Sequence, residues 1–187
     1  MHGQNIGFSS EVSLDSVQCL LKMLQKKRGG GQMVWIDSPG GSFEFFSTLA
    51  PFLLQHSFTS VCRDVRSAAV ILFLLGKKRL VLPDGVFFFH EVRAISNDGH
   101  EITICDLDAA IDWENERLRS LRREWLEEER IRMRNAQNWM LAFISEQSGI
   151  SRSTFLSLMR AEATLSAREA VHYGLAHRIV SEDELGN

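Results

Sequence analysis

The chain has 187 residues, of which 44% are apolar and 24% charged, and carries a formal charge of −3. That length suits one domain with a real core, and an ordinary globular composition disfavours both disorder and a membrane-spanning architecture. The slight acidic excess also argues against a nucleic-acid binder, whose phosphate-tracking surface would show as surplus Lys and Arg.

Cys19, Cys62 and Cys105 are far apart and form no CxxC pair. Neither a zinc site nor a disulfide framework is therefore expected, no cofactor is implied, and the sparse thiols suit a reducing cytoplasm. The N-terminal residues lack the basic and apolar regions of a signal peptide. The most apolar run, Ala68 to Leu75, is far short of the roughly 20 residues of a membrane helix.

Taken in chain order, Ser13 or Asp15 is placed to cap a helix to about Lys27, with Val17, Leu20, Leu21 and Leu24 on one face. The run Arg28-Gly-Gly-Gly ends it. Met33 to Ile36 reads as a short buried strand, Phe43 to Leu54 as a helical segment and Phe58 to Cys62 as a second strand. Ser67 to Leu75 reads as a buried helix stopped by Gly76. Leu80 to Leu82 and Val86 to Phe89 read as strands around a Pro-Asp-Gly turn.

Alternating strands and helices imply an α/β fold with a largely parallel sheet. The turn after Ile36, the turn after Cys62 and the residues after Phe89 are then expected to converge beyond the carboxyl ends of the strands, where ligands of such sheets bind.

Beyond His90, Val92 to Ile95 and Glu101 to Ile104 read as a hairpin around Asn97-Asp-Gly. From Asp106 to Gln147 there is no Gly or Pro. A single helix on the order of 40 residues, about 60 Å long, is expected there. Ile111, Leu118, Leu121 and Trp125 make a narrow apolar stripe on it. With exposed Trp113 and Trp125, this favours self-association over a merely solvated helix with i,i+4 ion pairs. Ser151 or Ser153 then caps a helix to about Arg160, Ser166 caps another through Tyr173 with Gly174 as its stop, and Arg178 to Val180 forms a last edge strand.

Three residue types carry the chemistry. Ser67 opens a helix, where a serine is either a plain cap or a nucleophile favoured by the helix dipole. His90 closes the apolar run Val86-Phe-Phe-Phe, as a structural histidine or as a base for that serine. Gly40-Gly41 is either a tight turn or a bare backbone that lets a substrate approach. Each is weak alone, and their order along the chain is what joins them.

The segments Ile36-Asp-Ser-Pro-Gly-Gly-Ser, Ser67-Ala-Ala-Val-Ile-Leu-Phe-Leu-Leu-Gly, Val86-Phe-Phe-Phe-His and Leu165-Ser-Ala-Arg-Glu-Ala-Val-His-Tyr-Gly-Leu resemble those of the caseinolytic protease proteolytic subunit, ClpP. This is a self-compartmentalising serine peptidase family that shares its fold with the crotonases. The resemblance covers about residues 33 to 180 and implies a single peptidase domain over 1–187 with an extended helical handle inserted at about 93–147.

It further implies Ser67 as nucleophile, His90 as base and an oxyanion hole from the N–H groups of Gly41 and Ala68. The family's triad Asp falls at Glu162, so either Glu162 completes the triad or Asp106 or Asp108 orients the imidazole. Arg66 replaces the small residues usual before the nucleophile. Lys77 and Lys78 follow Gly76 at the far end of the helix and do not suit a Ser-Lys pair.

The expected activity is endopeptidase cleavage of peptides or unfolded proteins, with substrate pairing along Glu91 to Ile95. Homo-oligomeric ring assembly is expected. A Clp-type ATPase unfoldase is a weaker expectation, because the family's axial segment has no counterpart in the residues before Met33. An inactive ClpP-like structural subunit and a crotonase-type acyl-CoA enzyme are the rival readings, the latter having no need of Ser67.

Overall fold

A computed structural model describes residues 5–26, 31–95, 99–114 and 120–186, with side chains throughout except at 113–122 and 186. The elements are β1 (Asn5–Phe8), α1 (Leu14–Lys26), β2 (Gln32–Ile36), α2 (Phe46–Leu54), β3 (Phe58–Arg66), α3 (Ala68–Leu74), β4 (Lys78–Phe88), β5 (Arg93–Ile95) and β6 (Glu101–Thr103). They continue as α4 (Ile104–Glu114), α5 (Ser120–Ser148), α6 (Arg152–Arg160), β7 (Thr164–Ser166), α7 (Ala167–His172), β8 (Arg178–Ile179) and α8 (Glu182–Gly186). The chain divides into two compact units, one of Met1–His90 with Phe143–Asn187 and one of Glu91–Ala142.

The first unit is built on a sheet in the order β1-β2-β3-β4-β7, with β8 also paired to β4. β1, β2, β3 and β4 are mutually parallel, as their crossover helices require, while β7 runs antiparallel to β4. The mixed α/β, largely parallel architecture expected from the alternation of elements is therefore the one observed. β1 and β7 were not anticipated.

Every residue of α3 is buried. It lies against β2, β3 and β4, and Phe73 meets Phe87 edge to face with ring centroids 5.2 Å apart. A second, smaller core gathers Val61, Leu80, Leu82 and Val180, with Met33, Trp35 and Leu185 packed on it. Fully burying a Leu or Phe side chain stabilises by roughly 1.5–3 kcal/mol, so these side chains hold the sheet flat against its helices.

Three expected boundaries move. β3 does not turn after Cys62 but continues to Arg66. The strands expected on either side of Pro83 are one strand, β4, whose register against β3 slips between Cys62 and Asp64 to absorb the Pro-Asp-Gly excursion. The helix opened by Ser67 begins at Ala68.

In the second unit β5 and β6 pair antiparallel, Arg93 opposite Thr103, with an ion pair from Arg93 to Glu101. The single 40-residue helix is corrected to two. Arg130 Nη1 lies 3.4 Å from Asp108 Oδ1 although 22 residues separate them, whereas one straight helix would hold them about 33 Å apart. α4 and α5 therefore lie side by side. Leu107, Ile111, Leu126 and Met133 are buried, and Trp125 is 52% exposed. Residues 28–30, Asn97-Asp98 and the side chains of Trp113, Leu118 and Leu121, which also entered the expectations above, lie outside the described residues.

Candidate active site

Because β2, β3 and β4 are adjacent and parallel, their carboxyl ends share one edge of the sheet. The Gly40-Gly41 turn follows β2, Ser67 follows β3 and His90 follows β4. β7 runs the other way, so its beginning lies at that edge, with Thr164 opposite Phe88. A residue just before a strand is thus brought beside residues just after strands. The Ser67 N–H donates to the Phe88 carbonyl at 2.9 Å and the Phe89 N–H to the Ala163 carbonyl at 3.0 Å, which ties Ser67, the His90 segment and the Glu162 segment together through the backbone.

Ser67 occupies φ 51, ψ −124, and its side chain makes no capping hydrogen bond to α3. The plain-cap role is therefore not the one it has. A non-glycine residue in such a sparsely populated region costs of order 1–3 kcal/mol and persists only where its surroundings hold it. The first N–H groups of a helix have no partners within it, and Ala68 supplies the first of them at α3, directly after the half-buried Ser67.

His90 stands on the half-buried side of the β4 run together with Val86 and Phe88, whereas Phe87 and Phe89 are buried. The alternation is that of a strand, and it aims the two buried rings at helices: Phe89 meets Phe155 of α6 edge to face at 5.0 Å. The imidazole rests 5.9 Å from the Phe88 ring, tilted by 43°.

Glu162 is exposed and follows the last turn of α6, with φ 49. Its N–H donates to the Met159 carbonyl at 3.1 Å and the Ala163 N–H to the Leu158 carbonyl at 3.0 Å. These two bonds define a Schellman cap with Glu162 in the left-handed position that glycine usually fills. Ser67 and Glu162 are the two non-glycine residues with positive φ among the described residues.

Gly40, at φ +96, is packed on the sharp turn from β3 into α3 at Ser67, the elbow. A Cβ there would lie 2.6 Å from the Arg66 carbonyl oxygen, 2.7 Å from Ser67 Cβ and 3.3 Å from the Ala68 nitrogen. Gly41 pairs with Val12 through the flanking peptides: Val12 N–H donates to the Gly40 carbonyl at 2.7 Å and Ser42 N–H to the Val12 carbonyl at 2.9 Å. In a parallel bridge of this kind the N–H of the central residue, here Gly41, is turned away from the partner strand. The role of Gly40 was not separated from that of Gly41 in the sequence, and only the close approach reveals it.

Asp37 and Ser38 also shape this edge of the sheet. Asp37 Oδ1 accepts the N–H groups of Arg63 at 2.7 Å and Asp64 at 2.9 Å, and Ser38 Oγ donates to the Ser10 carbonyl at 2.7 Å. An Asp before Ser-Pro is a signal for side chain to backbone bonding, though the partners are distant in sequence.

The other acids are already engaged. Asp106 accepts the Thr103 N–H at 2.8 Å and the Thr103 hydroxyl at 2.7 Å, and those bonds hold its carboxyl below the usual range. Asp108 pairs with Arg134 at 2.7 Å. Arg66 is exposed and binds Asp64 at 2.8 Å. Cys62 is fully buried, and that burial pushes its thiol well up, with Asp37 and Asp64 adding to it, the opposite of the lowered pKa that marks a reactive cysteine. Among the described residues no cluster of three or more His, Cys, Asp or Glu is placed to hold a metal ion.

No protein-family model and no curated protein matches the chain. Solved structures do. The chain is similar to ClpP1 from Listeria monocytogenes at 19% identity and TM-score 0.67, over 97% of this chain and 94% of that one. It is similar to a point mutant of the same protein at 20% identity and TM-score 0.70, again over 97% and 94%. Against the ClpP protease catalytic domain from Plasmodium falciparum the values are 15% and 0.63, over 95% and 85%. At these identities the likeness is one of fold, and the chain adopts the ClpP-like fold over nearly its whole length.

Proposed function

We propose that the protein is a serine endopeptidase acting on peptides or unfolded polypeptides through Ser67, His90 and Glu162. The observation that carries this reading is the coincidence of strain with chemistry. Among the described residues the two non-glycine ones held at positive φ, Ser67 and Glu162, are those that the family resemblance casts as nucleophile and acid, and such strain gathers at functional sites.

In this mechanism Ser67 Oγ attacks the scissile carbonyl while His90 takes its proton. The N–H groups of Gly41 and Ala68 receive the oxyanion, each such donor being worth roughly 10²–10³ in rate. His90 then protonates the departing amine, and water, deprotonated by the same imidazole, releases the acyl group from Ser67. Glu162 orients the imidazole and stabilises its charged form. Asp106 and Asp108 are poor substitutes, since Thr103 and the arginines of α5 already occupy them.

The protein acts as a homo-oligomer in this reading, supported by Trp125 and Ile131, 52% and 54% exposed on α5. Three free cysteines suit a cytoplasmic setting. A panel of internally quenched peptides tests the activity: wild-type protein should cleave and the Ser67→Ala and His90→Ala variants should not. Cleavage that survives Ser67→Ala would overturn the proposal, and turnover of an acyl-CoA that survives it would favour thioester chemistry instead.

A further inference from the structure

The strand that delivers Ser67 does not run straight. Along β2 and β3 the register passes from Trp35 opposite Val61 to Ser38 opposite Val65, so β3 carries one more residue than its partner just before the elbow. Such a bulge leaves backbone donors out of step with the neighbouring carbonyls and re-aims whatever follows it. On the other side β4 offers no correction, because its register against β3 jumps from Val81, opposite Cys62, to Val86, opposite Asp64.

Asp37 fills that gap. Its Oδ1 accepts the Arg63 N–H at 2.7 Å and the Asp64 N–H at 2.9 Å, the two donors at the bulge. Directly beyond, Ser38 N–H donates to the Asp64 carbonyl at 2.9 Å and its carbonyl accepts the Arg66 N–H at 3.1 Å. From the bulge onward the chain is thus held on the β2 side by Asp37 and Ser38 until Ser67 itself donates to Phe88.

Resting on the peptidase reading, we propose that Asp37 is a positioning residue for the nucleophile. Its carboxylate pins the Arg63–Asp64 bulge, and the bulge sets how far β3 has advanced and turned when it reaches Ser67. Removing the acceptor lets the bulge migrate and swings Ser67 Oγ away from its line of attack, without touching substrate. A misplacement on the order of 1 Å can cost about 100-fold in rate.

The test is the inactivation of purified full-length protein by a fluorophosphonate, resolved into a maximal rate and a half-saturating concentration. Asp37→Ala should lower the maximal rate by roughly 10- to 100-fold and leave the half-saturating concentration unchanged. Asp37→Asn keeps an oxygen acceptor and should recover most of the rate. Leu24→Ala, in the buried face of α1, serves as a control that lowers the melting temperature and should react at the wild-type rate. An Asp37→Ala protein with the wild-type maximal rate overturns the proposal, as does an Asn variant no faster than the Ala variant. Amide hydrogen exchange reads the same claim without activity: protection at Arg63, Asp64 and Ser67 should fall in Asp37→Ala and return in Asp37→Asn. Wild-type protein that takes no adduct overturns the peptidase reading, and the exchange pattern then decides the positioning claim alone.

Discussion

Replacing Glu162 by glycine separates two consequences of one backbone conformation. Glu162 sits at φ 49 in a Schellman cap whose hydrogen bonds are both made. A side chain in the left-handed region costs roughly 1–2 kcal/mol, while the larger conformational freedom of glycine in the unfolded chain returns about 0.5–1 kcal/mol. Comparing Glu162→Gly with Glu162→Ala isolates this backbone effect, because both remove the carboxylate and whatever it contacts. The glycine variant should be the more stable of the two by about 0.5–1 kcal/mol, or roughly 1–4 °C in melting temperature for a chain of this size.

Both variants should lose hydrolysis alike, by roughly 10²–10⁴ in kcat if the carboxylate orients His90. Thermal melts and quenched-peptide kinetics on the two proteins measure both effects. Equal melting temperatures would refute the strain argument. Unimpaired hydrolysis in both would refute the assignment of Glu162 as the acid, and with it the reason for the strain.

Other consequences are independent of that residue. Gly40→Ala, whose new methyl would sit 2.6 Å from the Arg66 carbonyl oxygen and 2.7 Å from Ser67 Cβ, should destabilise by about 1–3 kcal/mol and lower kcat, read by calorimetry and peptide hydrolysis. Asp106→Asn and Asp108→Asn should leave kcat within a few-fold, and Asp108→Asn should cost no more than about 1 kcal/mol, screened by salt, since its ion pairs are partly exposed. His177 accepts the Arg79 N–H at Nδ1, 3.1 Å away, and although the residue is exposed overall, partial desolvation of the imidazole, followed by the Arg79 charge, lowers its pKa. The unfolded chain then binds the proton at higher pH than the folded one. This contribution to stability is full above about pH 6.5 and is lost as pH falls through the lowered folded-state pKa. Melting temperatures across that range should show it, and His177→Gln should flatten it.

The order of elements and the placing of Ser67 and His90 at strand ends were legible because hydrophobic runs and glycines mark them directly. β1 was not, since Asn5–Phe8 is short and contains a glycine, and it becomes a strand only by pairing with β2. The end of β3 is hidden for a related reason. Arg63 and Asp64 read as a polar turn, yet the Asp37 carboxylate, far back in the chain, satisfies their N–H groups and keeps the strand going. The break in the long helix is not legible because a stretch free of Gly and Pro says nothing about where a chain doubles back, and the Asp108 pairs with Arg130 and Arg134 show that it does. The strain at Ser67 and Glu162 has no sequence signature, because only glycine announces positive φ in advance.

The central claim, that Ser67 is an activated nucleophile, is tested most directly by fluorophosphonate labelling followed by mass mapping of the adduct. A single adduct on Ser67, absent in Ser67→Ala and abolished in His90→Ala, is the predicted result. No adduct on Ser67 in any assembly state of the wild-type protein would contradict it and leave the ClpP-like fold as a scaffold without chemistry.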